Sequence, residues 1–412
     1  MSILNELKNR NILKNLSSLE KMNKLENSGC GVYAGFDPTA QSLHLGNYIQ
    51  IVNLLRFKQF GFDVYAILGG ATGMIGDPSF RNSERKLLDQ ETLLFNKNKI
   101  RQQLEKFGLK VIDNYDFYKD MNIIEFLSKV GKLVNVSYMI AKDSVASRLE
   151  NGLSFTEFSY QLIQGWDFLT LYKDKNVCIQ FGGSDQWGNI TTGLDMISTT
   201  FGNDHKAVAL TAQLLTDENG NKFGKSTGGG NLWLDKEMNK PFSLYQFLYN
   251  QPDSQIKNLL MWLTFLSVEE INQIVTEHEK EPAKRKAQEI LAFEVVKDIH
   301  SREDAEIAKN ISKIMFDKSF NPFELDTSAV EQMFSQMSNL ELSGNKSLFE
   351  QLLDLKVFNS KREIREMLAT GAIKWNDQTI QSEDFVVASE QFNSKYALLK
   401  KGKKNLYLVK IN

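Results

Sequence analysis

The feature of the sequence that most constrains the fold is the stretch from Gly31 to Asn47, GVYAGFDPTAQSLHLGN. Its first part, Gly31 to Phe36, is a short apolar run without helical spacing, which predicts a buried strand. Pro38 ends this strand, because proline cannot donate a hydrogen bond to a sheet ladder. Leu45 to Phe60 has apolar residues at helical spacing, and Ser42 is the predicted N-cap of this helix. The stretch therefore predicts a strand, a turn and a helix.

Such a corner offers an anion site. The first N–H groups of a helix are unpaired and lie at the positive end of the helix dipole. His44 adds a possible donor, and Gly46 leaves room for a flat ligand to pack closely. Ordinary α/β structure also contains corners of this kind, with the histidine as a simple cap, so the corner alone does not decide between the two interpretations.

The second feature is Lys222-Phe223-Gly224-Lys225-Ser226, which is followed by Thr227 and three glycines. Two lysines on a glycine-rich loop supply mobile positive charge for the leaving group of a polyphosphate substrate. Gly224-Lys225-Ser226 also matches the end of a P-loop, but that motif requires a glycine at position 219, where Asn219 stands. The glycines that follow cannot start the helix of a P-loop. Spacing and context thus exclude this alternative.

The two features belong to a set of six sequence motifs: YAGFDPTA, HLGN, GGATGMIGDPS, FTEFSYQLIQGWD, GGSDQWGN and KFGKS. HLGN and KFGKS resemble the paired signatures of the class I aminoacyl-tRNA synthetases. The other words narrow the resemblance to the bacterial-type tyrosyl-tRNA synthetases, and it runs from about Gly31 to the C-terminus. It implies that L-tyrosine is activated with ATP, pyrophosphate is released, and the tyrosyl group is transferred to the terminal adenosine of tRNA(Tyr).

Strands alternate with helices in the first half of the chain, which predicts an α/β fold. The expected architecture is a Rossmann-like, doubly wound parallel sheet with ligands at the carboxyl ends of its strands. The predicted strands are Gly31–Phe36, Val64–Gly69 and Val177–Phe181. The predicted helices are Leu45–Phe60, Ser83–Phe107, Phe155–Tyr172 and Asp185–Phe201. The predicted domains are a catalytic domain (1–240), an all-helical domain that by resemblance contacts tRNA (241–320), a linker (321–344) and a small α+β RNA-binding domain (345–412).

The alternation is interrupted from about residue 114 to residue 152. By resemblance this segment is the connective insertion of the family, which implies a homodimer interface. Ile123, Phe126, Leu127, Val130 and Val134 share one helix face there. The same face could equally be part of the core of the domain, and periodicity does not separate these two interpretations.

Length and composition set further limits. A chain of 412 residues is expected to form two or three domains, and 42% hydrophobic with 24% charged residues is typical of a globular protein. The net charge is −2, so a surface for nucleic acid must be local. No apolar run is long enough to span a membrane, and the N-terminus predicts a helix and not a signal peptide, so a cytoplasmic protein is expected. Cys30 and Cys178 lie in apolar runs without CxxC spacing, which predicts buried thiols.

The helix predicted at Phe155–Tyr172 carries a row of polar residues. Tyr160, Gln164 and Asp167 are spaced by four and three, so they lie on one face. Such a row is ordinarily the solvated side of an amphipathic helix. Here its neighbours are apolar, and a polar row in that setting needs a partner, because an unpaired buried polar group is costly. A bound amino acid would supply that partner.

The resemblance implies roles for individual residues. In the tyrosine site, Tyr160, Gln164 and Asp77 bind the substrate ammonium group, and Tyr33 and Asp167 hydrogen-bond the substrate phenol. Gln186 lies near the substrate carboxylate. Asp185 accepts from the ribose hydroxyls of ATP, although the simpler alternative is an N-cap of the following helix. The implied ATP-binding residues are Gly35, Asp37, His44, Gly46, Asn47, Asp185, Lys222, Lys225 and Ser226. The implied catalytic residues are Thr39, His44, Asn47, Lys222 and Lys225.

Catalysis of this kind is expected to work by positioning and electrostatics, without a general base. ATP is a substrate, Mg²⁺ is expected to arrive with its phosphates, and neither a metal site made of protein side chains nor a tightly bound cofactor is expected. Three positions depart from the family pattern: Asn47 replaces a second histidine, Arg81 replaces a lysine, and Ser226 replaces a threonine. Two alternatives are a tryptophanyl-tRNA synthetase, which shares the fold and both signatures, and a non-enzymatic RNA-binding relative.

The last part of the chain, from Ser347 to Asn412, has the pattern of two helices followed by strands. It resembles a small RNA-binding fold that is shared by a ribosomal protein and many RNA-modifying enzymes. The residues expected to bind phosphates at a helix start are Ser360, Lys361, Arg362 and Arg365. A basic loop, formed by Lys400, Lys401, Lys403 and Lys404, adds to this surface. Such charges are often only solvated, so the expectation depends on the resemblance.

Overall fold

The computed structural model describes residues 2–79, 88–142, 145–146, 152–218, 220, 223–224, 231–317, 320–325, 327–388, 395–402 and 405–412. These residues form two compact units. The first consists of residues 1–238 and 252–284, and the second consists of residues 239–251 and 285–412.

A six-stranded sheet with the order β1-β6-β5-β2-β3-β4 organises the first unit. Its strands are β1 (Leu13–Leu16), β2 (Gly31–Phe36), β3 (Asp63–Leu68), β4 (Lys110–Asp113), β5 (Val177–Gly183) and β6 (Val208–Ala212). β2 to β6 pair in parallel, and β1 pairs antiparallel with β6 at the edge. The chain moves outward from β2 to β4 and then returns to β5, so the direction of winding reverses between β2 and β5. This confirms the predicted doubly wound α/β fold and indicates a ligand site at the carboxyl ends of these two strands.

Eleven α-helices can be listed for the described part of the first unit: Ile3–Asn9, Leu19–Leu25, Leu45–Gln59, Thr72–Ile75, Gln90–Lys106, Ile123–Lys129, Val136–Ile140, Phe155–Lys175, Trp187–Phe201, Asp253–Leu263 and Val268–Lys280. The helix predicted from Ser83 begins instead at Gln90 within the described residues. Asp89 is its N-cap, and the carboxylate accepts a hydrogen bond from the Thr92 N–H at 2.8 Å.

The segment predicted as the connective insertion divides its apolar residues between two environments. Val130 is fully buried, and Phe126 and Val134 pack against the core that also contains Tyr33 and Phe168. In contrast, 66% of Ile123 and 47% of Leu127 are exposed. The predicted apolar face is therefore partly core and partly surface.

One buried cation connects two helices of the first unit. Arg56, on the helix Leu45–Gln59, is 1% exposed. Its guanidinium donates to the carbonyl oxygens of Met261, Trp262 and Thr264 at 2.9, 3.0 and 2.8 Å. These carbonyls lie at the C-terminal end of the helix Asp253–Leu263, where carbonyl groups have no partner within the helix. Arg56 thus caps that helix from its neighbour.

The second unit combines helices with a five-stranded sheet of order β7-β11-β10-β8-β9. Its described α-helices are Pro241–Tyr249, Lys286–Ile299, Arg302–Phe316, Thr327–Gln336, Leu348–Asp354 and Lys361–Ala369. Its strands are β7 (Asn339–Leu342), β8 (Ile373–Trp375), β9 (Gln378–Thr379), β10 (Tyr396–Lys401) and β11 (Asn405–Ile411). β7 lies within the predicted linker, and it pairs in parallel with β11 at the edge of the sheet.

Among the residues that the structure describes, no helix is both long enough and apolar enough to cross a membrane.

Candidate functional site

Two adjoining cavities lie at the carboxyl ends of β2 and β5. The larger, which we call the outer cavity, has a volume of about 520 Å³ and is lined by Thr39, His44 and Asn47 among others. The smaller, the inner cavity, has a volume of about 170 Å³. Asp37 and Asp185 line both cavities. The site therefore lies where the reversal of the sheet predicts it.

The inner cavity contains the polar row found in the sequence. Tyr160, Gln164 and Asp167 all line it from the helix Phe155–Lys175. Tyr160 and Asp167 are 5% and 3% exposed, so this face of the helix is not the solvated side. The Tyr160 hydroxyl donates to the Asp37 carboxylate at 3.3 Å.

Asp167 accepts hydrogen bonds from two residues of the predicted connective insertion. Asn114 Nδ2 lies 2.9 Å from Asp167 Oδ2, and the Tyr118 hydroxyl lies 2.6 Å from Asp167 Oδ1. Burial raises the pKa of Asp167 to about 7, although both hydrogen bonds favour its ionised form. A carboxyl group in this setting is fixed in orientation and changes charge near neutral pH.

Tyr33 projects from β2 into the same cavity. It is 2% exposed, and within the described residues its buried hydroxyl has no hydrogen-bond partner. Burial raises the pKa of this hydroxyl well above its usual value, so the group stays protonated. A buried hydroxyl of this kind is costly unless a ligand completes its hydrogen bonding. Together, Tyr33 and Asp167 offer a donor and an acceptor to a ligand hydroxyl.

Asp77 lies at another wall of the inner cavity. Its carboxylate accepts from Gln186 Nε2 at 2.7 Å, from Asn189 Nδ2 at 3.3 Å and from the Ser79 N–H at 3.0 Å. Asp77 and Gln186, which the resemblance assigns to different groups of the substrate, are thus direct hydrogen-bond partners. The carboxylate is fixed toward the cavity, where it can attract an ammonium group.

At the outer cavity, the helix Leu45–Gln59 begins with a reciprocal cap. The Asn47 N–H donates to His44 Nδ1 at 3.3 Å, and the His44 N–H donates to Asn47 Oδ1 at 3.1 Å. His44 is therefore the N-cap, and the prediction that Ser42 caps this helix was wrong. The Ser42 hydroxyl donates to the Leu43 carbonyl and accepts from the Asp235 N–H.

This cap fixes the tautomer of His44. Since Nδ1 accepts a hydrogen bond, the proton of the neutral ring is on Nε2. Asn47 completes the cap, because its amide oxygen accepts a hydrogen bond from the backbone N–H of His44.

The two signature stretches meet at Gly46. A Cβ atom on Gly224 would lie 3.0 Å from the Gly46 nitrogen, and the Gly224 φ angle of +101° also favours glycine. The Gly224 carbonyl accepts from the Leu232 N–H at 3.3 Å, and the Leu232 carbonyl accepts from the Leu45 N–H at 2.8 Å. The backbone of the second signature is thus anchored at the helix N-terminus of the first.

The structure also indicates what the other glycines do. A Cβ atom on Gly46 would lie 2.9 Å from His44 Cε1, so this glycine makes room for the imidazole of its own cap. A Cβ atom on Gly35 would meet nothing within 4 Å, because Gly35 borders the inner cavity.

Lys222, Lys225 and Ser226 of the second signature, and Arg81, lie outside the described residues.

Asp185 occupies a short turn between β5 and a helix. The turn, Ser184–Gln186, is a 3-10 helix, and the helix Trp187–Phe201 has Gln186 at its cap position without a side-chain cap bond. The alternative of Asp185 as a simple N-cap is therefore wrong. Its carboxylate borders both cavities instead.

Several polar residues of the inner cavity were not singled out from the sequence. Asn114, Tyr118, Gln180 and Thr72 contact or border the predicted site. Gln180 is 3% exposed, and its Oε1 has no partner within the described residues. It did carry a signal, since it is a polar residue between apolar neighbours in β5. Asn114, Tyr118 and Thr72 carried none, because their relevance depends on contacts across 35 to 53 positions.

The basic residues predicted in the second unit are partly paired. Ser360 is the N-cap of the helix Lys361–Ala369, Arg362 pairs with Glu366 at 2.8 Å, and Arg365 pairs with Glu383 at 2.5 Å. Lys401 pairs with Glu363 at 2.6 Å, while Lys403 and Lys404 lie outside the described residues. Arg362 and Arg365 are exposed on that helix, whereas Lys401 lies on β10 with a largely buried side chain, and each of the three is paired with a carboxylate.

Searched over the described residues, the structure contains no group of three or more His, Cys, Asp or Glu side chains that could hold a metal ion.

Comparison with known proteins adds independent findings. The family described as tRNA synthetases class I (W and Y) matches residues 25–317, and a tyrosine–tRNA ligase SYY-like C-terminal domain matches residues 329–409. The chain is 55% identical to the tyrosine–tRNA ligase of Mycoplasmopsis synoviae, covering 99% of each chain. It is 54% identical to that of Mycoplasmopsis agalactiae, covering 100% of each.

A solved structure is similar as well. The C-terminally truncated mitochondrial tyrosyl-tRNA synthetase of Aspergillus nidulans is 30% identical in sequence, with a TM-score of 0.69. The similarity covers 76% of this chain and 94% of that one.

Proposed function

The chain belongs to the class I tRNA synthetases for tryptophan and tyrosine, and we propose how its own residues carry out the reaction of a tyrosine–tRNA ligase. In this reaction the carboxylate of L-tyrosine attacks the α-phosphate of ATP and pyrophosphate leaves. The terminal ribose of tRNA then takes the tyrosyl group. The family resemblance predicted both steps, and relatives of nearly the same length carry this activity in their names.

The inner cavity binds the amino acid. The observation that carries this proposal is the buried Tyr33 hydroxyl, which has no partner in the described structure and faces the same cavity as Asp167. A substrate phenol would accept from Tyr33 and donate to Asp167, and so complete both groups. Phenylalanine would leave both incomplete, so selection against it needs no separate editing site. Tyr160, Gln164 and Asp77 bind the ammonium group, for which the Asp77 carboxylate supplies the charge.

The outer cavity binds ATP. The helix N-terminus, where His44, Gly46 and Asn47 line the outer cavity, presents the positive end of its dipole to the phosphates. Thr39 contacts the phosphate chain, and Asp185 accepts from the ribose hydroxyls. The remaining proposed contacts of ATP are with Gly35, Asp37, Lys222, Lys225 and Ser226, and Mg²⁺ arrives as part of the substrate complex.

Charge moves onto pyrophosphate in the transition state, so the groups around the leaving phosphates matter most there. His44, with its proton on Nε2, donates to a phosphate oxygen. Lys222 and Lys225 are the sequence neighbours of Phe223 and Gly224, and these two described residues line the outer cavity. We expect Lys225→Ala to lower the rate of tyrosine activation far more than tyrosine affinity, as measured by stopped-flow fluorescence. Equal losses in both would contradict a transition-state role.

The decisive experiment is amino-acid-dependent ATP–pyrophosphate exchange, measured without tRNA for tyrosine, tryptophan and phenylalanine. Exchange with tyrosine alone is expected. Exchange with tryptophan would retain the fold and overturn the proposed phenol site. The absence of exchange with all three would favour the alternative of a non-enzymatic RNA-binding relative.

We also propose a homodimer formed through the connective insertion. Large apolar side chains are exposed there, with exposed fractions of 66% for Ile123, 71% for Ile124 and 59% for Val136. Exposed apolar residues at this density favour a protein interface. Light scattering should give twice the 47.0 kDa mass of the chain, and Ile124→Asp should reduce it to that of one chain.

In the second unit we propose that Ser360, Lys361, Arg362 and Arg365 bind the phosphates of tRNA. Their exposed position at one helix start supports this, and tRNA phosphates would compete with Glu366 and Glu383 for the two arginines. Replacing both arginines with glutamine should weaken tRNA binding and flatten its salt dependence, without changing ATP–pyrophosphate exchange. The reaction belongs to translation, and we place the protein in the cytoplasm on that ground.

A further inference from the structure

Tyr118 contacts Asp167 of the proposed phenol-binding pair without itself lining the inner cavity. It follows the short 3-10 helix Asn114–Phe117 of the connective insertion. Its ring packs beside Phe126, with the ring centroids 6.4 Å apart, and its hydroxyl reaches Asp167 Oδ1 at 2.6 Å and the Ile163 carbonyl oxygen at 2.7 Å.

A tyrosine hydroxyl has one proton, so it donates fully to only one of these two oxygens. An ionised carboxylate is the stronger acceptor, and O–H···O⁻ hydrogen bonds are correspondingly short. Burial raises the pKa of Tyr118 well above its usual value, and the neighbouring Asp167 raises it further. The hydroxyl therefore remains a donor at all working pH values, and the Ile163 carbonyl oxygen is a second acceptor that competes with Asp167 for its proton.

The capacity of Asp167 for hydrogen bonds is divided between protein and cavity. A carboxylate accepts about four hydrogen bonds, two at each oxygen. Tyr118 occupies one position on Oδ1, and Asn114 occupies one on Oδ2. Each carboxylate oxygen can still accept a hydrogen bond from a donor in the cavity. The two protein donors orient the carboxylate and so determine where its remaining lone pairs point.

We propose that Tyr118 is a positioning residue for tyrosine selection: its hydroxyl orients Asp167 and stabilises the ionised carboxylate that accepts the substrate phenol. The inference rests on the proposed role of Asp167 in binding that phenol. None of the six sequence motifs that carry the family resemblance includes Tyr118, which lies 49 positions before Asp167.

The electrostatic surroundings make the hydroxyl important. Tyr33 faces Asp167 from β2, Asp37 follows that strand, and Asp113 lies at the end of β4. The two aspartates oppose a further negative charge on Asp167, and burial opposes it more strongly. Tyr118 is one of two donors that favour the charged form. Its removal is therefore expected to make Asp167 protonate at higher pH.

The test is Tyr118→Phe, which keeps the ring and its packing and removes only the hydroxyl. The matched control is Tyr115→Phe, since Tyr115 is 41% exposed and its ring lies under Lys97, away from the pocket. ATP–pyrophosphate exchange is measured against tyrosine, ATP and phenylalanine over a range of pH. For Tyr118→Phe we expect a rise of about three- to tenfold in KM for tyrosine, comparable to the loss of one hydrogen bond.

Three further readouts separate positioning from a general structural role. The KM for ATP and the kcat at saturating tyrosine should stay within about twofold of the parent, because the phenol contact is equal in the ground and transition states. The preference for tyrosine over phenylalanine should fall with the rise in KM. The acidic limb of kcat/KM for tyrosine should move to higher pH. The Tyr115→Phe control should show none of these changes.

A rise in KM without the pH shift, or an equal loss for tyrosine and phenylalanine, would overturn the inference. So would a Tyr118→Phe enzyme that is unchanged. Asp167→Asn distinguishes this failure from a failure of the proposed function. If Asp167→Asn loses selection while Tyr118→Phe does not, only the inference fails. If Asp167→Asn itself keeps full selection, the phenol assignment of Asp167 fails, and the inference fails with it.

Discussion

Arg56 provides a stringent test of how the first unit is held together. Its guanidinium is buried and donates to three carbonyl oxygens at the end of the helix Asp253–Leu263, and to Asn53 Oδ1 at 2.9 Å. Arg56→Met keeps a side chain of similar length and removes all four donations. Arg10 also donates to the Met261 carbonyl at 3.0 Å, so this acceptor keeps a partner in the variant.

The carbonyls of Trp262 and Thr264 and the buried Asn53 Oδ1 atom lose the donors that Arg56 provides. Leaving a buried acceptor unsatisfied costs about 1–3 kcal/mol. Three such groups give about 3–9 kcal/mol, and relief of the cost of burying a cation offsets a large part of it. We expect the free energy of unfolding to fall by about 3 kcal/mol.

Urea denaturation measures the global change, and hydrogen–deuterium exchange of Asp253–Leu263 measures it locally. The control is Lys58→Met on the same helix, where an exposed lysine donates to the Gly108 carbonyl at 3.0 Å and a change within about 0.5 kcal/mol is expected. A loss below about 1 kcal/mol for Arg56→Met, or exchange no faster than in the control, would refute the reasoning.

Three further predictions concern the two cavities. Tyr33→Phe removes a buried hydroxyl without a partner in the described structure, so the unliganded protein should unfold at a slightly higher urea concentration. The KM for tyrosine should rise about tenfold. A variant in which both the stability and the affinity for tyrosine fall would contradict this assignment. Burial raises the pKa of Asp167 from 3.8 to about 7. The contribution of the protonated Asp167 carboxyl to folding stability is therefore fully present below the unfolded pKa and is lost as pH rises through about 7. Over the same rise in pH the KM for tyrosine should decrease. Asp167→Asn should abolish this pH dependence of KM, and an unchanged pH profile in that variant would contradict the prediction. Gly224→Ala should lower the rate of tyrosine activation at least about tenfold, because its Cβ would lie 3.0 Å from the Gly46 nitrogen at a φ of +101°. Gly61→Ala, with a φ of +84° but nothing within 4 Å, is the matched control in stopped-flow measurements, and equal rates in the two variants would refute the packing argument.

The sequence predicted the fold where local patterns and tertiary contacts agree. The strand Gly31–Phe36 was predicted and observed with the same limits. The capping box at Ser267 and Glu270 is local in the same way, because both partners lie within one turn of the chain. In contrast, the helix Leu45–Gln59 starts with His44 and not with Ser42, since Asp235 and Gln103 engage the Ser42 hydroxyl from distant parts of the chain.

The same distinction applies to the candidate site. Spacing along one helix placed Tyr160, Gln164 and Asp167 on one face, and the structure confirms that this face lines a cavity. Spacing could not predict the environment of Asp167, because Asn114 and Tyr118 lie 53 and 49 positions away. Its raised pKa depends on burial, which only the folded chain determines.

In the proposed mechanism, recognition of tyrosine and stabilisation of the leaving pyrophosphate take place in different cavities. The groups proposed to recognise the phenol lie on β2 and on one buried helix, where their hydrogen bonds would be the same before and during reaction. His44, which is proposed to stabilise the leaving pyrophosphate, lies at a helix N-terminus beside the anchored Gly224. Binding energy for tyrosine is thus used for selection, while the stabilisation of pyrophosphate increases only as charge develops. Asp37 borders both cavities, as Asp185 does, and it accepts hydrogen bonds from Tyr160 and Thr72, so we expect a change at Tyr160 to alter the wall of the proposed nucleotide site as well.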